Sequence, residues 1–310
     1  MGPAAQRRGL HVISLGWWLA PAVLSLPIAV AAAGAAPGEH RGHFSVDYQY
    51  IHIDGFEATT GKLDIGTTDT HSLYFDLAYA ITDRWTVSVG IPLIRKRYQG
   101  PAPHDPDAIV PPQDQDLIDD GGYHTDFQDF HFGASYLAWK SINWSVAPFA
   151  GYGVPSNDYP FFGHSAVGQN LWRFDLGASI AYRPALSYFF ATLTPGYVWV
   201  EETLGVNIDH WMINGEVGYQ FSDRIAGKVF AIAKKGNGLD FPDDFPPPRN
   251  DEFWFNHDRM VRHNFVNVGV GMDWQINSTH RAHLSWMTMV HAEQVHVMQD
   301  AITVGWSRSF

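Results

Sequence analysis

The stretch FDLAYAITDRWTVSVGIPLI, residues 75–94, decides the fold. Its second half places Trp85, Val87, Val89, Ile91 and Leu93 on one face of an extended chain, and Thr86, Ser88, Gly90 and Pro92 on the other. Side chains alternate across a strand, so this is a period of two and not the 3.6 of a helix. Thr82, Asp83 and Arg84 supply turn chemistry between two such runs. The unit is strand, tight turn, strand, and YQFSDRIAG (219–227) repeats it.

Working outward, FHFGASYLAW (130–139), WRFDLGASIAY (172–182) and NVGVGMDW (267–274) alternate in the same way. The pattern predicts an all-β chain of about twelve strands, many of ten or more residues, against the usual five or six of a soluble sheet. Turns at 82–84, 140–142, 184–186, 222–224 and 277–279 are short. Between them lie long connections at 97–123, 153–169 and 235–261, with shorter ones at 54–67, 201–208 and 292–295. That alternation is the pattern of a transmembrane antiparallel up-and-down barrel, with short periplasmic turns and long extracellular loops. A soluble β-sandwich would also alternate. Against it stand the strand lengths and the aromatics at both ends of the apolar faces: Trp85, Trp139, Trp144, Tyr182, Tyr219 and Trp274 among them, with Tyr152, Trp172, Trp199 and Trp211. These form two expected interface girdles.

The chain ends AITVGWSRSF (301–310), where a soluble protein usually frays into a polar tail. Ile302, Val304, Trp306 and Phe310 read as the lipid-facing half of a last strand that pairs with the first and removes the sheet edges. A terminal Phe after alternating residues resembles the tag read by barrel-assembly machinery, so Trp306 and Phe310 are the expected assembly signal. At the other end, Arg7 and Arg8 precede a long apolar run that exits through small residues, as in a secretory signal. A retained membrane helix is the alternative; Pro21, Pro27 and the Ala-rich exit favour a signal over 1–33 and a barrel over 34–310. The first strand then begins so near the cleavage point that no plug domain fits before it.

Composition agrees. A net charge of −12 argues against a nucleic-acid partner. The absence of cysteine excludes disulfides and thiolate chemistry. The expected home is the outer membrane of a Gram-negative bacterium after export, with outer-membrane lipid and lipopolysaccharide as neighbours.

FDLAYAITDRWTVSVGIPLI (75–94), YHTDFQDFHFGASY (123–136) and the terminal VGWSRSF resemble the outer-membrane proteins associated with meta-pathway phenol degradation. That family stands loosely beside the fatty-acid and aromatic-hydrocarbon channels. The resemblance implies a barrel that passes small hydrophobic or aromatic solutes; it supplies no catalytic residues and no cofactor.

Period two also sorts the polar residues. Asp47, Asp76, Asp129 and His131 fall on the expected lumen face, as do Arg173, Asp175, Glu216 and Lys228. Asp273, Arg281 and His283 join them, with Gln49, Asn214, Gln220 and Asn267. Arg or Lys on the lipid face at the bilayer midplane would cost about 2–4 kcal/mol, so their shared phase supports the barrel independently. They read either as the lining of a solute path or as an internal salt-bridge network that plugs a narrow barrel. The expected pairing sets Asp76, Asp129, Asp175 and Glu216 against Arg173, Lys228 and Arg281 across the lumen.

The loop over 103–124 is acidic and reads as solvated, with divalent-cation bridging to lipopolysaccharide as the alternative. In the loop over 240–258, Phe241, Phe245, Phe253, Trp254 and Phe255 either fold over the mouth and catch an aromatic solute or only pack the loop. IRKRY (94–98) places Arg95, Lys96 and Arg97 at the outer end of a strand, within reach of lipid phosphates. Sixteen histidines invite a metal, but His283 and His291 stand about 27 Å apart along a strand and cannot share one. His283 and Ser285 share the lumen face and not the lipid face that a membrane phospholipase would need; a surface protease at the rim is the other enzyme alternative.

Overall fold

Long alternating runs close into a sheet without edges. The computed structural model describes residues 41–100 and 118–310. The strands are β1 Gly42–Ala58, β2 Gly61–Ala80, β3 Trp85–Gln99, β4 His124–Phe127, β5 Phe130–Tyr136, β6 Trp139–Lys140 and β7 Trp144–Val154. They continue as β8 Arg173–Tyr182, β9 Phe189–Val200, β10 His210–Gln220, β11 Ile225–Gly236, β12 Asn264–Gln275, β13 His280–Glu293 and β14 Val295–Ser309. β4, β5 and β6 are one course of chain, broken at Gln128–Asp129 and Leu137–Ala138: β4 and β5 both pair with β3, while β5 and β6 both pair with β7. The wall is therefore a closed antiparallel barrel of twelve strands.

The seam forms where the terminal residues predict it. β14 pairs antiparallel with β1, with Val46 opposite Trp306 and Phe44 opposite Arg308. The backbones of Gly42 and Phe310 exchange hydrogen bonds at 2.7 and 2.9 Å. The proposed signal segment lies outside the described residues.

The outer face is apolar by construction. Val87, Leu176, Leu193, Val229, Val270 and Val304 all point away from the barrel and are exposed. Below them runs one aromatic ring, with Trp85 against Tyr136 (4.9 Å between centroids), Trp144 against Tyr182 (4.4 Å) and Phe44 against Trp306 (6.4 Å). Above them runs another, with Phe174 against Trp199 (5.6 Å) and Tyr197 against Trp211 (5.1 Å). Amphipathic rings settle at the two headgroup levels, which sets the barrel's height in the bilayer.

Two connections differ from expectation. Residues 54–67 are not a loop: β1 and β2 continue to Ala58 and Gly61 and turn at Thr59–Thr60. Likewise β13 and β14 are joined by Gln294 alone. A bulge at Gly55 breaks the period of two on β1, and Phe56 and Ala58 beyond it pack against the loop after β11, so the alternation that reveals a strand is lost there.

Candidate functional site: the lumen and its mouth

Every second residue of the wall points inward, and the inward set divides by height. Its lower part is charged. Lys228 Nζ lies 3.1 Å from Asp273 Oδ2, and His283 Nε2 lies 3.4 Å from Asp47 Oδ1. Arg281 donates to Gln275 Oε1 at 3.1 Å. Asp76, Asp175 and Glu216 are buried, and each keeps one carboxylate oxygen without a partner. These side chains lie along the wall. Asp175 crosses Gly151, and Asp47 and His283 cross Gly305; a Cβ at either glycine would collide with them. Glycine at these lumen positions thus seats a neighbour's charge.

Nearer the mouth, at the break between β4 and β5, the Arg173 guanidinium donates to a His131 ring nitrogen at 2.9 Å and lies 3.9 Å from Asp129. The Tyr159 hydroxyl donates to Asp129. All eleven lumen residues expected from the sequence therefore sit on the inward face. The ion pairs found join Arg173 to Asp129 and Lys228 to Asp273; among the described residues Asp76, Asp175 and Glu216 pair with no cation within 4 Å.

Sequence reasoning missed the upper part. There apolar residues take over much of the inward wall, although Asn214 and Asn267 flank Ile232 and Lys234 follows it on β11. Ile51 and Ile53 on β1 join Met298 and Ala301 on β14 and Met287 on β13. Phe230 and Ile232 on β11, Met212 on β10 and Val198 on β9 complete one buried cluster. Most continue the phase of the polar residues below them: Ile51 and Ile53 follow Asp47 and Gln49, and Phe230 follows Lys228, while a register shift brings Met298 inward on β14. The signal was that phase, carried two residues beyond the last polar position. The remaining wall differs again: on β2, Thr68, Thr70 and Ser72 point inward and are buried, and the Thr70 hydroxyl has no partner among the described residues. The upper lumen is an apolar lane facing a ladder of hydroxyls.

Two loops cover the mouth. The segment after β7 turns inward and buries Tyr159, Phe162, Val167 and Leu171. Lys96 Nζ holds it by the Ala166 carbonyl at 3.0 Å, and Ser165 Oγ accepts from the Tyr98 amide at 3.0 Å. Lys96 therefore points into the barrel while Arg95 and Arg97 point out; alternation splits the IRKRY cluster. The segment after β11 carries a helical turn, Glu252–Phe255, capped by the Asp251 side chain. Phe245 and Trp254 are buried there with Met260, Val261 and Phe56, and Phe241, Phe253 and Phe255 pack against them. The five loop aromatics thus build the inner packing of a cap. The two loops are tied together: Gln169 donates to the Asp258 carbonyl at 2.6 Å, Arg259 donates to the Asn170 carbonyl at 3.1 Å, and Phe162 meets Phe255 edge-on at 5.3 Å. Between them a small cavity is lined by Lys96, His164, Asp258, His263 and His296. Burial, and then the nearby Lys234 charge, hold the His263 imidazole down at about 3.

The family described as "Putative MetA-pathway of phenol degradation" matches residues 96–230, from the end of β3 into β11. No curated protein matches the chain. Among solved structures, an outer-membrane channel from Pseudomonas putida F1 aligns with 89% of this chain and 100% of its own, at a TM-score of 0.66 and 15% identity. The translocator domain of the autotransporter NalP from Neisseria meningitidis aligns over 88% and 90%, at 0.51 and 10%. The NanC porin aligns over 86% and 100%, at 0.50 and 8%. The chain has the fold of the bacterial outer-membrane barrels. A channel, a translocator and a porin share it, so what passes must be argued from the lumen.

Proposed function

We propose that this barrel is a passive outer-membrane channel for small hydrophobic or aromatic solutes, phenols included. The observation that carries the reading is the apolar lane. Outer-membrane barrels ordinarily have polar interiors; a lane of Ile, Met, Phe and Val under the mouth, onto which Leu171 of the covering loop packs, is a surface that suits an apolar cargo. Seating a ring of side-chain size there is worth about 1.5–3 kcal/mol, enough to enter and weak enough to leave. Below the lane, the unpartnered oxygens of Asp76, Asp175 and Glu216 accept a hydrogen bond from a phenolic hydroxyl and repel an anion. No residue does covalent chemistry in this reading. Residues 1–33 are removed on export, and the terminal strand with Trp306 and Phe310 engages the assembly machinery.

A second reading, a closed structural barrel, is favoured by the cap and its ties. Planar-bilayer recording separates the two. A channel passes current that dissolved phenol interrupts and glucose does not; a barrel that passes no current at any voltage is the closed one.

A further inference from the structure

The outer wall is apolar around most of its girth, but over β1 to β4 it changes abruptly near the top. Tyr48, Leu73, Leu93 and Phe127 form one outward layer across neighbouring strands. One step higher, the register sets Tyr50, His71, Arg95 and Thr125 side by side. The next step brings His52, Asp69 and Arg97. Arg95 is ten residues beyond the girdle residue Trp85 on β3, which is about 33 Å of strand and about 25 Å of height at the usual tilt. That is the full apolar band, so the two arginines face outward at the level of the outer-leaflet headgroups.

The cluster is built rather than scattered. Both guanidinia lie over the Tyr123 ring, Arg95 at 4.4 Å and Arg97 at 4.6 Å from its centroid. Asp69 accepts from Arg97 at 3.0 Å, from the Tyr50 hydroxyl at 2.8 Å and pairs with His52 at 2.9 Å, so its charge is spent within the group. Arg95 has no carboxylate within 4 Å among the described residues, and Arg97 Nε has no acceptor. Three other cations of the outer rim are matched: Lys62 with Asp54, Lys235 with Glu293, and Arg262 with Asp240 and Glu293. On a chain of net charge −12, this is a cationic patch with unused donors.

We propose that Arg95 and Arg97, held by Tyr123 and Asp69, bind a phosphate group of an outer-leaflet glycolipid. Guanidinium forks match phosphate geometry, and stacking on an aromatic ring fixes the fork before the ligand arrives. Below the patch, Leu73, Leu93 and Phe127 receive the acyl chains of the same lipid. The site lies on the outer wall, so it holds whatever the lumen conducts.

The test is lipid retention by the purified full-length protein in detergent. Diphosphoryl lipid A is added and bound lipid is counted by native mass spectrometry, with the dephosphorylated lipid as the second arm and excess inorganic phosphate as the third. Among the described residues Arg95 makes no ion pair, so Arg95→Gln gives up only its stacking on Tyr123; circular dichroism and heat-modifiable migration verify the fold. Retention of diphosphoryl lipid A is expected to fall about tenfold in Arg95→Gln and further in the double Arg95→Gln/Arg97→Gln variant. Arg84→Gln, at the periplasmic rim, is expected to leave it unchanged. Displacement by inorganic phosphate alone would assign the site to free phosphate and overturn the lipid proposal. Equal retention of dephosphorylated lipid, or equal retention by the wild type and both variants, would overturn it as well.

Discussion

On β1 the inward face carries Ser45, Asp47 and Gln49 below, and Ile51 and Ile53 above; on β11 it carries Lys228 below, and Phe230 and Ile232 above. The same strands, in the same phase, line one lumen with two chemistries. The lower belt holds charges against the wall, several with unspent hydrogen-bonding capacity. The upper lane is mostly apolar, with the Asn214 and Asn267 amides set beside Ile232. An ion loses several kcal/mol of hydration on entering such a lane, while a neutral ring gains from it. Along β11 the inward residues run Lys228, Phe230, Ile232 and Lys234, so the lane lies between the charged belt and buried cations at the mouth.

The largest effect is expected from making the lane resemble the belt. Phe230→Asp puts a carboxylate into the apolar cluster, opposite Glu216 on β10, and should weaken phenol's interruption of the channel current by tenfold or more. Unchanged interruption would show that the ring does not dwell there. Gly151→Val attacks the belt's seating. Its side chain collides with Asp175, and the barrel should lose about 1–3 kcal/mol against urea unfolding. Tolerance at that position would mean that Asp175 does not lie along the wall.

The third expectation concerns the cap. In the docked cap the His263 imidazole is held at about 3 against 6.5 when free, so the undocked state binds the extra proton. Docking is therefore fully favoured above about 6.5 and weakens as the pH falls toward about 3. Mean current should rise over that window in the wild type, and the rise should shrink in His263→Asn. The smallest effect is expected in the belt itself. Asp175→Asn removes one negative charge of several, which should lower the cation-to-anion preference measured by reversal potential and leave phenol block intact.

These regions also differ in how far the sequence discloses them. The wall, its lipid face, both girdles and the closing seam follow from a period of two sustained over ten or more residues, as in Trp85–Leu93 and Ala301–Phe310. The belt follows because Asp76 or Asp175 stands out against apolar neighbours. The lane stays hidden for the opposite reason. Tyr48, Tyr50, Ile51 and Ile53 are apolar or aromatic on both faces, so composition no longer says which face is inside. Only counting onward from Asp47 would reveal it. The cap is less legible still, because Tyr159, Phe162, Val167 and Met260 are buried in connections with no period at all. Their placement depends on ties distant in sequence, such as Gln169 to Asp258. Lys96 shows the reverse lesson: three adjacent cations look like one patch until alternation sends the middle one into the barrel.

The central claim is that the apolar lane receives an aromatic solute. It is tested most directly by recording current through single barrels in a planar bilayer while phenol, and separately glucose at equal concentration, is added on the extracellular side. The account predicts brief interruptions that grow in number with phenol concentration, are absent with glucose and are lost in Phe230→Asp. Interruptions of equal frequency with both solutes, or none with phenol, would contradict it.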